Sequence, residues 1–206
     1  GKMVAIGSHV NRQTMALLTD MSTPLGLAIG NGLEVLEAVR VLKGKGPEDL
    51  TILCIEIAAN MLNLSEKGDL DACRLIAKEA ITSKMALNKF LELVSAQGGD
   101  SAFINNPDHF ASASLAIPVY SVKAGYVYSM NSEKLGMASM LLGAGRASSG
   151  DAIDYSAGLT LNKKTGQTVN MNDILAYMHT NNLKTTEEAE ALIRESYEIN
   201  EKMPQK

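Results

Sequence analysis

Hydrophobic positions recur at helical spacing through most of the first hundred residues and gather into short strand-like runs afterwards. Leu50, Leu53, Cys54, Ile57, Ala58, Met61 and Leu62 fall at i, i+3, i+4, i+7, i+8, i+11 and i+12, which predicts a helix with one buried face. Gly46 at its cap, Pro47 at the first helical position, and Glu48 and Asp49 in the first turn, where the helix dipole favours acids, mark its start. Asp69–Thr82 and Lys84–Ala96 read as two more helices, and Gln97-Gly98-Gly99-Asp100 ends the helical part. Upstream, Gly1–Val10 reads as the tail of a helix, and Thr14–Leu18 is an apolar run rich enough for a buried strand. Asp20–Asn31 is a loop broken by Pro24, Gly26 and Gly30, and Gly32–Lys43 is a helix with Leu33, Leu36, Val39 and Leu42 on one side.

Periodicity disappears in the Asn-, Asp-, Ser- and Pro-containing stretch Ser101–Ser114, a plausible domain boundary. Beyond it, Leu115–Val122, Gly125–Met130, Asp151–Leu161, Thr168–Asn170 and Ile174–His179 read as β segments, with a short helix at Glu133–Leu142. Lys163-Lys164-Thr165-Gly166-Gln167 is a tight turn. Thr185-Thr186-Glu187-Glu188 offers a capping box for an acidic last helix ending near Glu198.

Composition narrows the function classes. Hydrophobic residues make up 46% and charged residues 20%, and no segment approaches the roughly 18 consecutive apolar residues of a membrane helix, so a soluble globular chain without a membrane partner is expected. With 4% aromatic residues, no tryptophan and 11 methionines, the core must come from Leu, Ile, Val, Ala and Met. A net charge of −4 without a basic cluster larger than pairs such as Lys163-Lys164 argues against nucleic acid. Cys54 and Cys73 both fall in helical patterns and are expected as small buried apolar residues of a reducing, cytoplasmic compartment.

Candidate chemistry is sparse. In open α/β folds ligands gather where loops leave strands, which points to Asp20 and the loop behind it. Asp20 with Asp100 or Glu37 could form an acid–base pair, but nothing in their spacing brings them together. The run Gly143–Gly150 half-imitates a nucleotide fingerprint without the leading strand and long following helix, so it reads as a turn whose Arg146 anchors a loop or a contact between domains. His9, His109 and His179 are scattered, at no spacing that suggests zinc ligation or a catalytic triad.

TDMSTPLGLAIGNGLEVLEAVRVLKGKGPEDL at Thr19–Leu50, SAQGGD at Ser95–Asp100, LGAGR at Leu142–Arg146 and KKTGQTV at Lys163–Val169 together resemble the pyrimidine-nucleoside and thymidine phosphorylases. The resemblance is to the later half of such an enzyme. In that family the glycine-, serine- and threonine-rich phosphate loop, the catalytic histidine region and the residues that grip the pyrimidine precede the part matched here. The chain is therefore expected to be a fragment, with no catalytic or substrate-binding residues of its own. A second resemblance joins AGYVYSM at Ala124–Met130 and KKTGQTVNMNDILAYM at Lys163–Met178 to the barrel-sandwich pattern of biotinyl and lipoyl domains. No lysine stands at a comparable hairpin tip, so the architecture is expected without biotin or lipoate.

The expected fold class is thus an α/β remnant, strand-loop-helix plus helices, over residues 1–100, a connector over 101–114, and a C-terminal α+β domain with barrel-sandwich-like β structure over 115–206. Carried over residue by residue, the resemblance implies one site: potassium, or a similar monovalent cation, held by the main-chain carbonyls of Leu25 and Ala28 and the carboxylate of Glu37. Oxygen ligands on a loop broken by Gly and Pro suit such an ion. The remaining ligands belong to the phosphate loop, so the fragment is expected to bind the ion weakly or not at all. For the intact enzyme the resemblance implies phosphorolysis of uridine, thymidine or deoxyuridine, with phosphate and nucleoside as its small-molecule partners. Two alternatives stand beside it: a non-catalytic scaffold module completing a partner chain, and a related phosphorylase with another nucleoside or nucleotide substrate. Apolar edges left open in a partial sheet lead us to expect a homo-oligomer.

Overall fold

The structure, a computed structural model, describes residues 1–106, 110, 112–146 and 148–204. His109, the neighbouring part of the predicted connector, and Ala147 of the glycine-rich run lie outside the described residues. The chain divides into two compact units, Gly1–Asp20 with Val39–Gly99, and Met21–Ala38 with Asp100–Lys206. The glycine-broken loop and the start of the following helix therefore count with the C-terminal residues, whereas their position in the sequence groups them with the N-terminal ones.

The first unit holds α1 (Lys2–His9), the end of α2 (Asn31–Leu42), α3 (Glu48–Leu64), α4 (Leu70–Thr82) and α5 (Met85–Ala96). The long helices lie within a residue or two of where the apolar spacing predicts them. Pro47 stands just outside α3, with extended backbone at φ −57° and ψ 143°, and its carbonyl accepts from the Thr51 hydroxyl at 2.7 Å. Asp69 caps α4 by accepting from the Ala72 N–H at 2.8 Å. Helices α3 and α4 pack together with Ala59, Cys73 and Ala77 buried. The Arg74 guanidinium reaches from α4 to both carboxylate oxygens of Glu56 on α3, at 2.8 Å each, and these bonds hold the Glu56 carboxyl below the usual carboxylate range.

Two expectations for this unit are corrected. Thr14–Leu18 is not a buried strand: it has no regular structure, and Met15, Leu17 and Leu18 are exposed, Leu18 completely. An apolar run specifies burial only where neighbouring strands supply ladder bonds and a covering layer, and no described residue pairs with this one. Of the two cysteines only Cys73 is buried; Cys54 is exposed. Cys54 lines an apolar trough of 440 Å³ on α3, α4 and the start of α5, together with Ile55, Met61, Ile76 and Ile81.

The second unit holds β1 (Ala28–Ile29), the start of α2, α6 (Ala102–Asn105), β2 (Leu115–Tyr120), β3 (Gly125–Met130), α7 (Ser132–Ser139), β4 (Gly158–Leu161), β5 (Thr168–Val169), β6 (Ile174–Thr180), α8 (Thr186–Ser196) and β7 (Tyr197–Asn200). One sheet has the order β1-β4-β6-β2 and the other β5-β3-β7, with every pair antiparallel. The fold is mixed α/β with antiparallel sheets, and among the described residues neither sheet closes into a barrel. Leu135 and Leu142, Leu159 and Leu161, Leu175 and Met178, and Ile193 form the heart of one continuous core built from both sheets and helices α7 and α8.

Three local features differ from the sequence reading. β1 forms inside what reads as loop, and β7 takes over where the last helix was expected to run on to Glu198. The capping box at Thr185 does not form: the Thr185 hydroxyl donates to the Leu141 carbonyl at 2.6 Å, spending the cap on a tertiary contact. Helix α7 begins under an Asn131 cap and runs into a wide turn, Met140–Ala144, where Gly143 takes φ 113° and ends the helical path.

Candidate functional site

The candidate site is the loop Met21–Gly30 with the first turns of α2, and its shape follows from a small number of polar contacts. Gly26 at φ 70° turns the loop back on itself, and Gly30 at φ 142° leads into α2. Glu34 reaches back from the first turn of α2 to accept from the Gly30 N–H at 3.1 Å, closing the helix start. Between these turns the Leu27 carbonyl accepts from the Leu161 N–H at 2.7 Å, and Ile29 pairs with Leu159 on β4.

That register decides which way Ala28 faces. Carbonyl and N–H point in opposite directions across a trans peptide. With Leu27 O and Ile29 on the β4 side, the N–H and carbonyl of Ala28 turn to the free edge of the sheet. Glu37 waits on that edge. Its carboxylate accepts from the Leu27 N–H at 3.0 and 3.1 Å and from the Ala28 N–H at 3.3 Å. The residue is 4% exposed, and the described partners of its carboxylate are these two amides and no cation.

A buried carboxylate without a counter-charge is costly, and amides compensate it only in part. A carboxylate offers about four lone-pair positions, and the three amide contacts do not use them all. Glu37 and the edge-facing Ala28 carbonyl are therefore hard oxygen donors on one side of β1, a donor set that fits a weakly charged, hard cation. Leu25 is exposed, and no hydrogen bond among the described residues ends on it. Its two neighbours are both engaged: Lys164 Nζ donates to the Pro24 carbonyl at 2.6 Å and to the Gly26 carbonyl at 2.9 Å.

The loop is tied down along its whole length. Ser132, in the first turn of α7, donates to the Met21 and Ser22 carbonyls at 3.2 and 3.0 Å, and Thr23 and Thr165 share a hydroxyl contact at 3.0 Å. Ser139 donates to Ile29 O at 3.1 Å, Asn31 to Ala144 O at 2.8 Å, and the Gly32 N–H to Tyr155 O at 3.0 Å. Gly30 and Gly158 allow the closest approach, since a Cβ on Gly158 would lie 2.2 Å from Ile29 O. The two lysines of the β4–β5 turn are both folded onto the protein: Lys163 meets Thr168 O and the Asp173 carboxylate at 2.8 and 2.9 Å. None of these anchors is visible in sequence spacing, because each joins positions that only the fold brings together.

The other candidates do not assemble into a site. Asp100 accepts from the Ala102 N–H at 2.8 Å, and no hydrogen bond joins it to Glu37. Asp20 and His9 are exposed. His179 is half-buried with Nε2 2.9 Å from the Thr160 hydroxyl, and loss of water holds its pKa below the ordinary histidine value. Arg146 is exposed and makes no hydrogen bond or ion pair among the described residues, so the anchoring role expected of it is not seen. Among those residues no group of three or more His, Cys, Asp or Glu side chains could hold a metal on its own, and no helix is long and apolar enough to cross a membrane.

Comparison with known proteins adds a family. Residues 126–200 match the family model described as pyrimidine nucleoside phosphorylase C-terminal domain. The chain is 43% identical over 180 residues to the pyrimidine-nucleoside phosphorylase of Staphylococcus epidermidis (strain RP62A), a match covering 87% of this chain and 42% of that protein. It is 44% identical over 180 residues, with the same coverage, to the protein of that name from Staphylococcus aureus (strain N315). The chain thus spans less than half the length of the curated relatives it matches.

Proposed function

From a chain that belongs, through its C-terminal domain and most of its length, with the pyrimidine-nucleoside phosphorylases, we propose that it is the C-terminal part of such an enzyme. The observation that carries this reading is the long match at 43% identity, which runs through both units and beyond the domain family itself. The intact enzyme would transfer the pentose of uridine, thymidine or deoxyuridine to phosphate, releasing the free base and pentose 1-phosphate. It is a pentosyl transfer, in which charge developing on the departing base calls for positive groups around base and phosphate. Supplying such groups falls to residues outside this chain, so the 206-residue chain alone does not catalyse the reaction.

Its own contribution is a cation site and a rigid mount for it. The carbonyls of Leu25 and Ala28 and the carboxylate of Glu37 would hold potassium or a similar monovalent ion. The ion would balance the buried Glu37 charge and stiffen the loop. The two antiparallel sheets of the second unit act as the family's barrel-sandwich-like module without biotin or lipoate. The exposed apolar positions of the first unit, Ile52, Met61 and Leu75 among them, favour a homo-oligomer, in a cytoplasmic setting.

Phosphate-dependent release of uracil from uridine tests the proposal. The chain alone should give none, and adding the separately expressed upstream part of the Staphylococcus aureus relative should restore it. Turnover by the purified chain alone overturns the assignment of catalysis to other residues. Stable association with that part but no recovered turnover favours the second reading, a non-catalytic scaffold.

A further inference from the structure

We propose that Lys164 is a positioning residue for the cation loop, holding the peptides on either side of Leu25 so that the Leu25 carbonyl is free to serve as a ligand. The inference rests on the reading of Leu25, Ala28 and Glu37 as the cation site, and it concerns a residue which that reading leaves out. Three observations carry it. Lys164 Nζ donates to Pro24 O at 2.6 Å and to Gly26 O at 2.9 Å, so its two bonds bracket Leu25. The Gly26 backbone is left-handed at φ 70°, a conformation in which successive carbonyls do not simply alternate, and a fixed pair of carbonyls on either side leaves the middle peptide little freedom. Finally, the turn that carries Lys164 is itself fixed: Lys164 N–H donates to Gln167 Oε1 at 2.6 Å, and the next residue, Thr165, touches Thr23 of the same loop at 3.0 Å.

The chemistry suits a mount rather than a ligand. An ammonium donates and cannot accept, so Lys164 does not coordinate a cation. It neutralises part of the negative potential of the two carbonyls it holds, and does so without touching the Glu37 carboxylate, whose described bonds are to Leu27 and Ala28. A positive charge near a cation site would by itself weaken binding by repulsion. Order and charge therefore act in opposite directions, which makes the sign of the effect decisive.

The test uses the amide resonances of Leu27 and Ala28 as reporters, since both N–H groups sit on the Glu37 carboxylate. Potassium chloride is titrated at constant ionic strength against N-methylglucamine chloride, with the parent chain, Lys164→Met and Lys164→Arg. Saturable shifts at both amides are expected in the parent associated with the separately expressed upstream part of the Staphylococcus aureus relative, and weaker ones in the chain alone, moved to at least tenfold higher potassium in Lys164→Met and largely restored in Lys164→Arg. Amides of β2, on the opposite edge of the sheet from β1, should keep their positions and show that the variants are folded. Saturation in the parent with unchanged or tighter binding in Lys164→Met overturns the positioning role and leaves the cation site standing. No saturable shift in the parent, either alone or associated with the separately expressed upstream part of the Staphylococcus aureus relative, overturns the cation site itself, and the positioning role with it.

Discussion

Replacing Gly158 by alanine should detach β1 from β4, and the size of the effect can be worked from the backbone. Gly158 has φ 146°, and a Cβ there would lie 2.2 Å from Ile29 O, 3.0 Å from Gly30 Cα and 3.1 Å from Leu33 Cδ1. Carbon–oxygen contacts settle near about 3.3 Å, so the strand must retreat by about 1 Å. The atom in the way belongs to the backbone and cannot rotate aside. Retreat weakens the 2.7 Å bond from Leu161 N–H to Leu27 O and the Ile29–Leu159 pairing, each worth about 1 kcal/mol net. An alanine at this φ adds backbone strain of about 1–3 kcal/mol, for a total of about 3–5 kcal/mol if both ladder contacts are lost. All six tyrosines, Tyr120, Tyr126, Tyr128, Tyr155, Tyr177 and Tyr197, lie in the second unit and there is no tryptophan. Tyrosine fluorescence in urea therefore reports the unit in question without interference from the other. Gly136 is the internal control: it sits in α7 with nothing within 4 Å of its Cβ position, and Gly136→Ala should gain about 0.5–1 kcal/mol. A Gly158→Ala midpoint equal to that of the parent, measured beside a shifted Gly136→Ala, would refute the close-approach account of this ladder.

Tyr197→Phe should cost about 1–3 kcal/mol by the same assay, because the buried hydroxyl shares its proton between Lys163 O and Leu175 O at 2.9 and 3.1 Å, and its loss strands the Lys163 carbonyl while Leu175 O keeps the Asn162 N–H at 2.8 Å; a loss below measurement error would mean water replaces it. His179, whose folded pKa is depressed from 6.5 by loss of water, contributes stability that is intact above the unfolded value and is lost as pH falls through the folded one, since the unfolded chain takes up the proton first. Urea midpoints should decline as pH drops below about 6.5, and His179→Gln should flatten that decline; an equal decline in both proteins would assign it to other groups. With Cys54 exposed and Cys73 buried, a thiol reagent should modify one group readily in the native chain and the second only in urea; two fast thiols would contradict the burial of Cys73.

Local signals in the sequence sufficed for the helices of the first unit and failed where neighbours decide. The i, i+3, i+4 spacing of Leu50–Leu62 and the acids after Pro47 are properties of one segment, so α3 could be read directly. Thr14–Leu18 carries the same apolar content as a core strand, yet a strand exists only with partners, and the run lies exposed without them. The reverse happened at Ala28–Ile29, where glycines signalled a loop and β4 made a strand of it. Glu37, Ala28 and Leu25 came from resemblance. Spacing alone presents Glu37 as an ordinary helix-surface acid, and only the fold buries it against the amides of Leu27 and Ala28.

The loop that carries the candidate cation site precedes α2 in sequence but owes its shape to residues more than a hundred positions later. Ser132, Ser139, Ala144, Tyr155, Leu161 and Lys164 all bond to the stretch Met21–Gly32. Such contacts hold a site only as firmly as the body they come from, and that body has the continuous core of Leu135, Leu159, Leu175 and Ile193 behind it. A disturbance in the C-terminal sheets is therefore transmitted to Glu37 through β1, with no change in any candidate ligand. On this account Gly158→Ala should also move the Leu27 and Ala28 amide resonances, because the ladder that fails is the one that turns Ala28 toward Glu37.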